Sequence, residues 1–365
     1  MHRLCSHALT FALALFGLVS QDAAGQTLGE RLDRYLRQRP GRPFSGVVIV
    51  ALGDSIVFER AYGMADADLG IPNRLETRFR IGSLTKPLTA TAVMRLVETG
   101  QLRLTDRVCA YLARCPEAWR PVTLRHLLSH TSGIPDLFNE LPAAPVDSTR
   151  AVMDAAVLRH LGDSLRSRPG ERYAYSNFGY FLLGCVLEVA YHEPWERVLR
   201  DLVFSPASMR QSVYDDVWAI MPGRAHGYAL KGDSLRNIAY KDHAAYAAGG
   251  LLSSAPDLFS FDRALSHGKL IADSTLREMT QPGLGDYGLG WQVIRVFGRR
   301  MRNHTGGIDG FASHLATYDD GTTVIVLSNV EDEAAKATAC DVAAIRFGIV
   351  ISPPGEQRDA CRAVP

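Results

Sequence analysis

Lysine is nearly missing from this 365-residue chain: it supplies five of the 40 basic residues. Net charge is nearly missing too, at +1, and there is no basic run. That excludes the electrostatic footprint of a nucleic-acid-binding protein. Cysteine is sparse, six residues, with no C-x-x-C pair and no H-E-x-x-H; His192-Glu193 lacks a second His four residues on. A metal site is therefore not expected, and no cofactor is implied. The apolar run Ala8–Val19 is 12 residues, short of the roughly 20 a membrane-spanning helix needs. Neither a repeat nor a low-complexity stretch occurs. What is present, 47% hydrophobic and 22% charged residues, is ordinary for a globular protein. Disorder, collagen and coiled coil are excluded. The length suits one large domain or two intimately packed ones. With so few lysines, each is a candidate for a specific role.

The N-terminus reads as a secretory signal peptide over residues 1–25. Arg3, the short apolar run and the exit Ser20-Gln21-Asp22-Ala23-Ala24-Gly25 have that arrangement. Cleavage is expected after Gly25, and no Cys follows to carry a lipid anchor. The mature chain is expected to be exported, periplasmic or secreted, without stable membrane insertion, and monomeric. Among the remaining cysteines, Cys109 and Cys115 are spaced for a loop staple. Cys340 and Cys361 are placed to tie the tail to the last helix, and Cys185 reads as core.

Hydrophobic periodicity predicts α+β architecture. Leu28–Arg37 has helical spacing. Gly46–Leu52 and Ile56–Tyr62 read as a hairpin around Gly53-Asp54. Ser83–Glu98 reads as a helix, with Pro87 tolerated in its first turn. From about 100 to 280 short helices dominate, among them Leu124–His130, capped by Thr123 and stopped by Gly133, and the apolar Phe178–Ala190. Strands return at Tyr287–Val296, Arg300–His304, Ala312–Tyr318 and Thr322–Leu327, the last two joined at Asp319-Asp320-Gly321. Glu333–Phe347 closes as a helix. The expected fold is one antiparallel sheet built from both chain ends and flanked by helices, with a large helical insert. A single domain is expected over 26–352, with sheet parts at about 40–95 and 285–350, the insert at about 96–284 and a tail at 353–365.

Three short motifs carry candidate chemistry. In Ser83-Leu84-Thr85-Lys86 the hydroxyl and amine lie one helical turn apart, about 5–6 Å between Cβ atoms. A serine needs a base to become a nucleophile. A lysine, with ordinary pKa about 10.4, serves only if burial or a cationic field lowers it. Alone the motif is weak: 23 serines and five lysines produce about 0.3 such spacings by chance. A second, Ser266-His267-Gly268-Lys269, reads as a helix end and turn. In Tyr175-Ser176-Asn177, a phenol can shuttle a proton and an amide can hold a substrate carbonyl while touching the lysine. In His304-Thr305-Gly306-Gly307, at a strand end, glycines admit a substrate backbone and an N–H can polarise its carbonyl.

Together, S-x-x-K, Y-x-N and H-T-G in this order resemble the serine β-lactamase and penicillin-binding peptidase family, class C β-lactamases and secreted D-alanyl-D-alanine carboxypeptidases in particular. Leu124–Pro135 (LRHLLSHTSGIP), Pro169–Leu182, Ala248–Leu252 and Tyr287–Trp291 fit the same pattern. The resemblance spans about residues 40–335. It implies Ser83 as the acylated nucleophile, Lys86 as its base and Tyr175 as the proton relay. It implies Asn177 on the substrate amide, His304 and Thr305 at a substrate carboxylate, and the N–H groups of Ser83 and Gly307 as oxyanion hole. Class C β-lactamases have lysine where this chain has His304, which favours a carboxypeptidase-like amidase or esterase over a β-lactamase. The partner expected is a small-molecule or peptide substrate. A penicillin- or peptidoglycan-binding module without turnover is the alternative from another class. His126, His130 and Ser132 read as structural, Tyr287 and Trp291 as cleft wall or core, and Asp309 as a turn residue.

Overall fold

Valine and isoleucine at successive positions cannot alternate with polar residues, so such strands must be covered on both faces. Two strands here have that property, and they lie side by side within the sheet. The computed structural model describes residues 26–38, 44–141, 164–216, 219–232, 234–238, 245–331 and 334–349. Its main elements are α1 (Leu28–Gln38), β1 (Gly46–Leu52), β2 (Ser55–Tyr62), α2 (Thr85–Glu98), α3 (Leu124–Leu128), α4 (Asn177–Tyr191), α5 (Ala255–Ser266), β3 (Gln292–Val296), β4 (Arg299–Ile308), β5 (Phe311–Tyr318), β6 (Thr322–Ser328) and α6 (Ala334–Arg346). The six strands form one antiparallel sheet in the order β3-β4-β5-β6-β1-β2. β1 and β6, from opposite ends of the chain, pair in full register from Gly46↔Ser328 to Leu52↔Thr322.

The period-two alternation of strands separates two cores. Val48, Val50, Val324 and Val326 face α1 and α6, where they meet Leu32, Leu36, Ala339 and Val342. Val47, Ile49, Ile325 and Leu327 face the other way, under α5, in a core that extends to residues of α2 and α4. α4 is buried at every position from Phe178 to Leu187, as a helix apolar on all sides must be. Cys185 lies there, in the core as expected. Cys109 and Cys115 form a disulfide. Cys340 is also disulfide-bonded; Cys361, the signal-peptide segment and the tail lie outside the described residues. Among the described residues no helix is long and apolar enough to cross a membrane.

Several boundaries differ from the sequence reading, each for a local reason. Ser83 sits on a separate 3₁₀ turn, Gly82–Leu84, before α2 begins. α3 ends at Leu128 because His130, three residues before Gly133, already adopts a left-handed backbone (φ 56°) and the Thr131 N–H reaches back to the His126 carbonyl. β3 starts at Gln292 rather than Tyr287, since Gly290 (φ 88°) bends the chain between them. β4 continues past His304 through Thr305, Gly306 and Gly307 to Ile308. The insert also holds short strands the periodicity does not reveal. Phe79–Arg80 and Val213–Tyr214 flank Leu251–Ser253, and Tyr228–Lys231 pairs with Ser234–Asn237. At two to four residues they are specified by their partners, not by their own pattern.

Candidate active site

The turn carrying Ser83 is pressed against the inner end of β4, and glycine makes this possible. Gly82 has φ +51°, and a Cβ there would lie 2.9 Å from both N and O of Gly307. A Cβ on Gly306 would lie 1.9 Å from the Ile81 carbonyl oxygen. Ser313 of β5 donates to that same oxygen at 2.7 Å and locks the contact. A Cβ on Gly307 would meet nothing within 4 Å, so this residue faces open space. Pairing of β3 with β4 stops at Gln292↔Asn303, which leaves the β3-side edge of 304–307 unpaired by β3.

Lys86 lies one turn into the helix, with no exposed surface. Its Nζ is 3.0 Å from Ser83 Oγ, 2.8 Å from Asn177 Oδ1 and 2.8 Å from the Ala248 carbonyl. Burial pulls the amine down to about 7; the Asp136 carboxylate opposes this only in part. A neutral amine has two N–H bonds and one lone pair. The two carbonyl oxygens can only accept, so they take the N–H bonds, and the lone pair is directed at the Ser83 hydroxyl.

The Tyr175-Ser176-Asn177 segment is held through its backbone. His130 Nδ1 accepts from Ser176 N–H at 3.1 Å. Asp136 accepts from Asn177 N–H at 3.3 Å and from Phe178 N–H at 2.9 Å. Ser176 caps α4 by accepting from Gly179 N–H at 3.0 Å. Tyr175 is 39% exposed, but its phenol turns inward and hydrogen-bonds the Ser83 side chain. Its ring centroid is 4.8 Å from Lys86 Nζ. Burial pushes the phenol up, so it keeps its proton at neutral pH.

His304 differs from the expectation of a carboxylate contact. It is 4% exposed. Nδ1 lies 2.6 Å from the Thr305 carbonyl, which can only accept, so Nδ1 carries the hydrogen. Nε2 therefore accepts from the Tyr287 hydroxyl at 2.9 Å. Burial, then the nearby Lys86, pulls the imidazole down to about 3. It is a neutral ring with both nitrogens engaged, and not a partly charged cation. Thr305 is half-buried and pairs with His314 across the sheet.

Ser83, Lys86, Tyr175 and Asn177 are thus in mutual contact, with Gly307 against their turn and His304 behind Tyr287. The second S-x-x-K takes no part: Ser266 ends α5 and accepts from Arg302. His126 and Ser132 serve locally, His126 in the capping box of α3 and Ser132 accepting from Ile134 N–H. His130 stands closer to the site than its structural reading suggested, its ring 4.3 Å from that of Tyr175. Asp136 was missed. Its only signal was its place at the end of the SHTSGIP stretch, and its partners lie about 40 residues away. Trp291 is buried in the core. Among the described residues no group of His, Cys, Asp or Glu could hold a metal ion.

The chain is similar to known proteins over most of its length. Penicillin-binding protein 4* of Bacillus subtilis (strain 168) is 30% identical over 336 residues, 84% of this chain and 71% of that protein. Esterase EstB of Burkholderia gladioli is 37% identical over 208 residues, 52% of each chain. The crystal structure of a penicillin binding protein from Bacillus halodurans superposes with a TM-score of 0.72 at 26% identity, covering 88% of this chain and 97% of that one. The sequence profile of the Beta-lactamase family matches residues 32–346. With its antiparallel sheet, its helical flanks and this match over most of its length, the chain belongs to the Beta-lactamase family.

Proposed function

We propose that this protein cleaves ester or amide bonds through an acyl-enzyme on Ser83. One observation carries the reading: a fully buried amine, lowered to about 7, stands 3.0 Å from the Ser83 hydroxyl with its two N–H bonds taken by carbonyl oxygens. Neutral Lys86 takes the Ser83 proton as Oγ attacks the substrate carbonyl. Ser83 N–H and Gly307 N–H receive the developing oxyanion. The bond to the leaving group breaks as the Tyr175 phenol hands that group a proton and is refilled from Lys86. Water then cleaves the acyl-serine, releasing the acid and restoring the hydroxyl. Asn177 donates its amide N–H bonds to the bound acyl group while its oxygen holds Lys86. Relatives named esterase and D-aminopeptidase support both ester and amide bonds as targets. A module that merely binds has no use for a buried amine without a paired counter-ion.

The test is labelling with an activated ester or a fluorescent penicillin, read by intact mass. An adduct on Ser83 that Ser83→Ala abolishes is expected. Absence of labelling together with absence of turnover overturns the reading. We also read the chain as exported, on the signal-like N-terminus, and as a monomer. The N-terminal sequence and the sedimentation mass of the secreted protein test this.

A further inference from the structure

A carboxylate leaving water for a cleft must find a cation or several donors there. The strand side of this cleft offers neither in its expected place. His304 engages Nδ1–H with the Thr305 carbonyl and Nε2 with the Tyr287 hydroxyl, which also contacts Tyr180. Neither ring nitrogen is left to meet an anion. Lys86 donates to Asn177 and Ala248 and faces Ser83, so it too is committed. Asp136 acts on both Lys86 and Tyr175 with its negative charge. An incoming anion is repelled by it.

What surrounds the relay instead is aromatic. His130 lies 4.3 Å from Tyr175, 6.0 Å from Tyr173 and 4.6 Å from Tyr287, centroid to centroid. Tyr173 and Tyr287 are 5.9 Å apart. Tyr173 packs directly over Gly285, where a Cβ would lie 2.5 Å from its ring. Such a wall stabilises apolar and π-faced groups by burial and gives a carboxylate nothing.

We propose that the His304–Tyr287 pair makes the strand side of the cleft a neutral subsite, so that the substrates are uncharged esters or amides rather than chains ending in a carboxylate. This rests on the acyl-enzyme reading above and names its substrate class. It departs from the carboxylate role first expected of His304.

The experiment uses two matched depsipeptides with the same acyl group. The leaving group of one ends in a free carboxylate, that of the other in its methyl ester. At neutral pH the neutral substrate is expected to have a kcat/KM about tenfold higher or more, and to leave the same mass adduct on Ser83. Equal or reversed preference, with Ser83 still acylated, overturns the inference and leaves the acyl-enzyme reading standing. No acylation of Ser83 by either substrate overturns both. His304→Lys, which sets a cation in that place, is expected to cut the preference about tenfold. If that variant fails to fold, the unaltered protein's own ratio decides.

Discussion

Arg302 and His304 stand two residues apart on β4, on the same face of the strand. Each belongs to a buried cluster of ionisable groups, and the two clusters end in opposite states. Around Arg302, Asp262 of α5 has no exposed side-chain surface. It accepts from Arg302 at 2.6 Å, from Arg263, from Thr317 at 2.6 Å and from Thr323 at 3.0 Å. Burial alone would raise this carboxyl; the two guanidinium groups overcome that and hold it down at about 2. Around His304, Lys86 is equally buried but has no ion-pair partner in contact, and it loses its charge instead. The two sites show that burial does not decide whether a group is ionised. A counter-charge in contact does. The first arrangement makes a seam between helix and sheet, and the second leaves an amine able to accept a proton.

The comparison breaks if the two clusters respond alike. Lys86→Ala is expected to lower acylation about 10³-fold or more while the melting temperature stays near that of the parent. Normal acylation by the variant would remove Lys86 as the base. Asp262→Ala should do the reverse. Leaving Arg302 and Arg263 buried without their anion is expected to cost about 3–5 kcal/mol of stability, measured by denaturant unfolding. Surviving folded molecules should keep their turnover. A loss below about 1 kcal/mol would mean the seam is not what holds α5 to the sheet.

Smaller effects sharpen the contrast. Lys86 must be neutral to accept a proton, and its folded value lies near 7. Acylation should therefore fall about tenfold per pH unit below 7 and level off above it. A profile flat from pH 5.5 to 8.5 would contradict this. Asp136 raises Lys86 slightly. Asp136→Asn should move the rising limb to lower pH and speed acylation a few-fold at about pH 6. An unmoved limb would show that Asp136 acts on α4 alone.

The parts of the site that are local in sequence were legible there. Ser83 and Lys86 are three residues apart, and Tyr175 and Asn177 two, so their spacing alone suggests contact. β1 and β6 were legible because runs of valine, isoleucine and threonine have few alternatives to a doubly covered strand. The state of His304 was not legible. It depends on Tyr287, seventeen residues earlier, and on a burial that nothing in H-T-G-G announces. Nor was the Asp262 seam, whose members lie 40 to 61 residues from that carboxylate, apart from its neighbour Arg263. The left-handed turn at His130 was hidden for another reason. Glycine three positions on was the more permissive stop, but the chain places His130 there to reach Ser176.

The contact between Ile81, Gly82 and the glycines of β4 joins residues 232 positions apart at its Ser313 latch. A nascent polypeptide emerging N-terminus first would thus display its serine long before the opposing strand exists. Until that late segment arrives, the alcohol has half a cradle and no oxyanion support, so a partly synthesised chain is chemically silent. Fragments stopping short of residue 304 should accordingly escape labelling by an activated ester, and any reactive fragment would disprove this built-in delay.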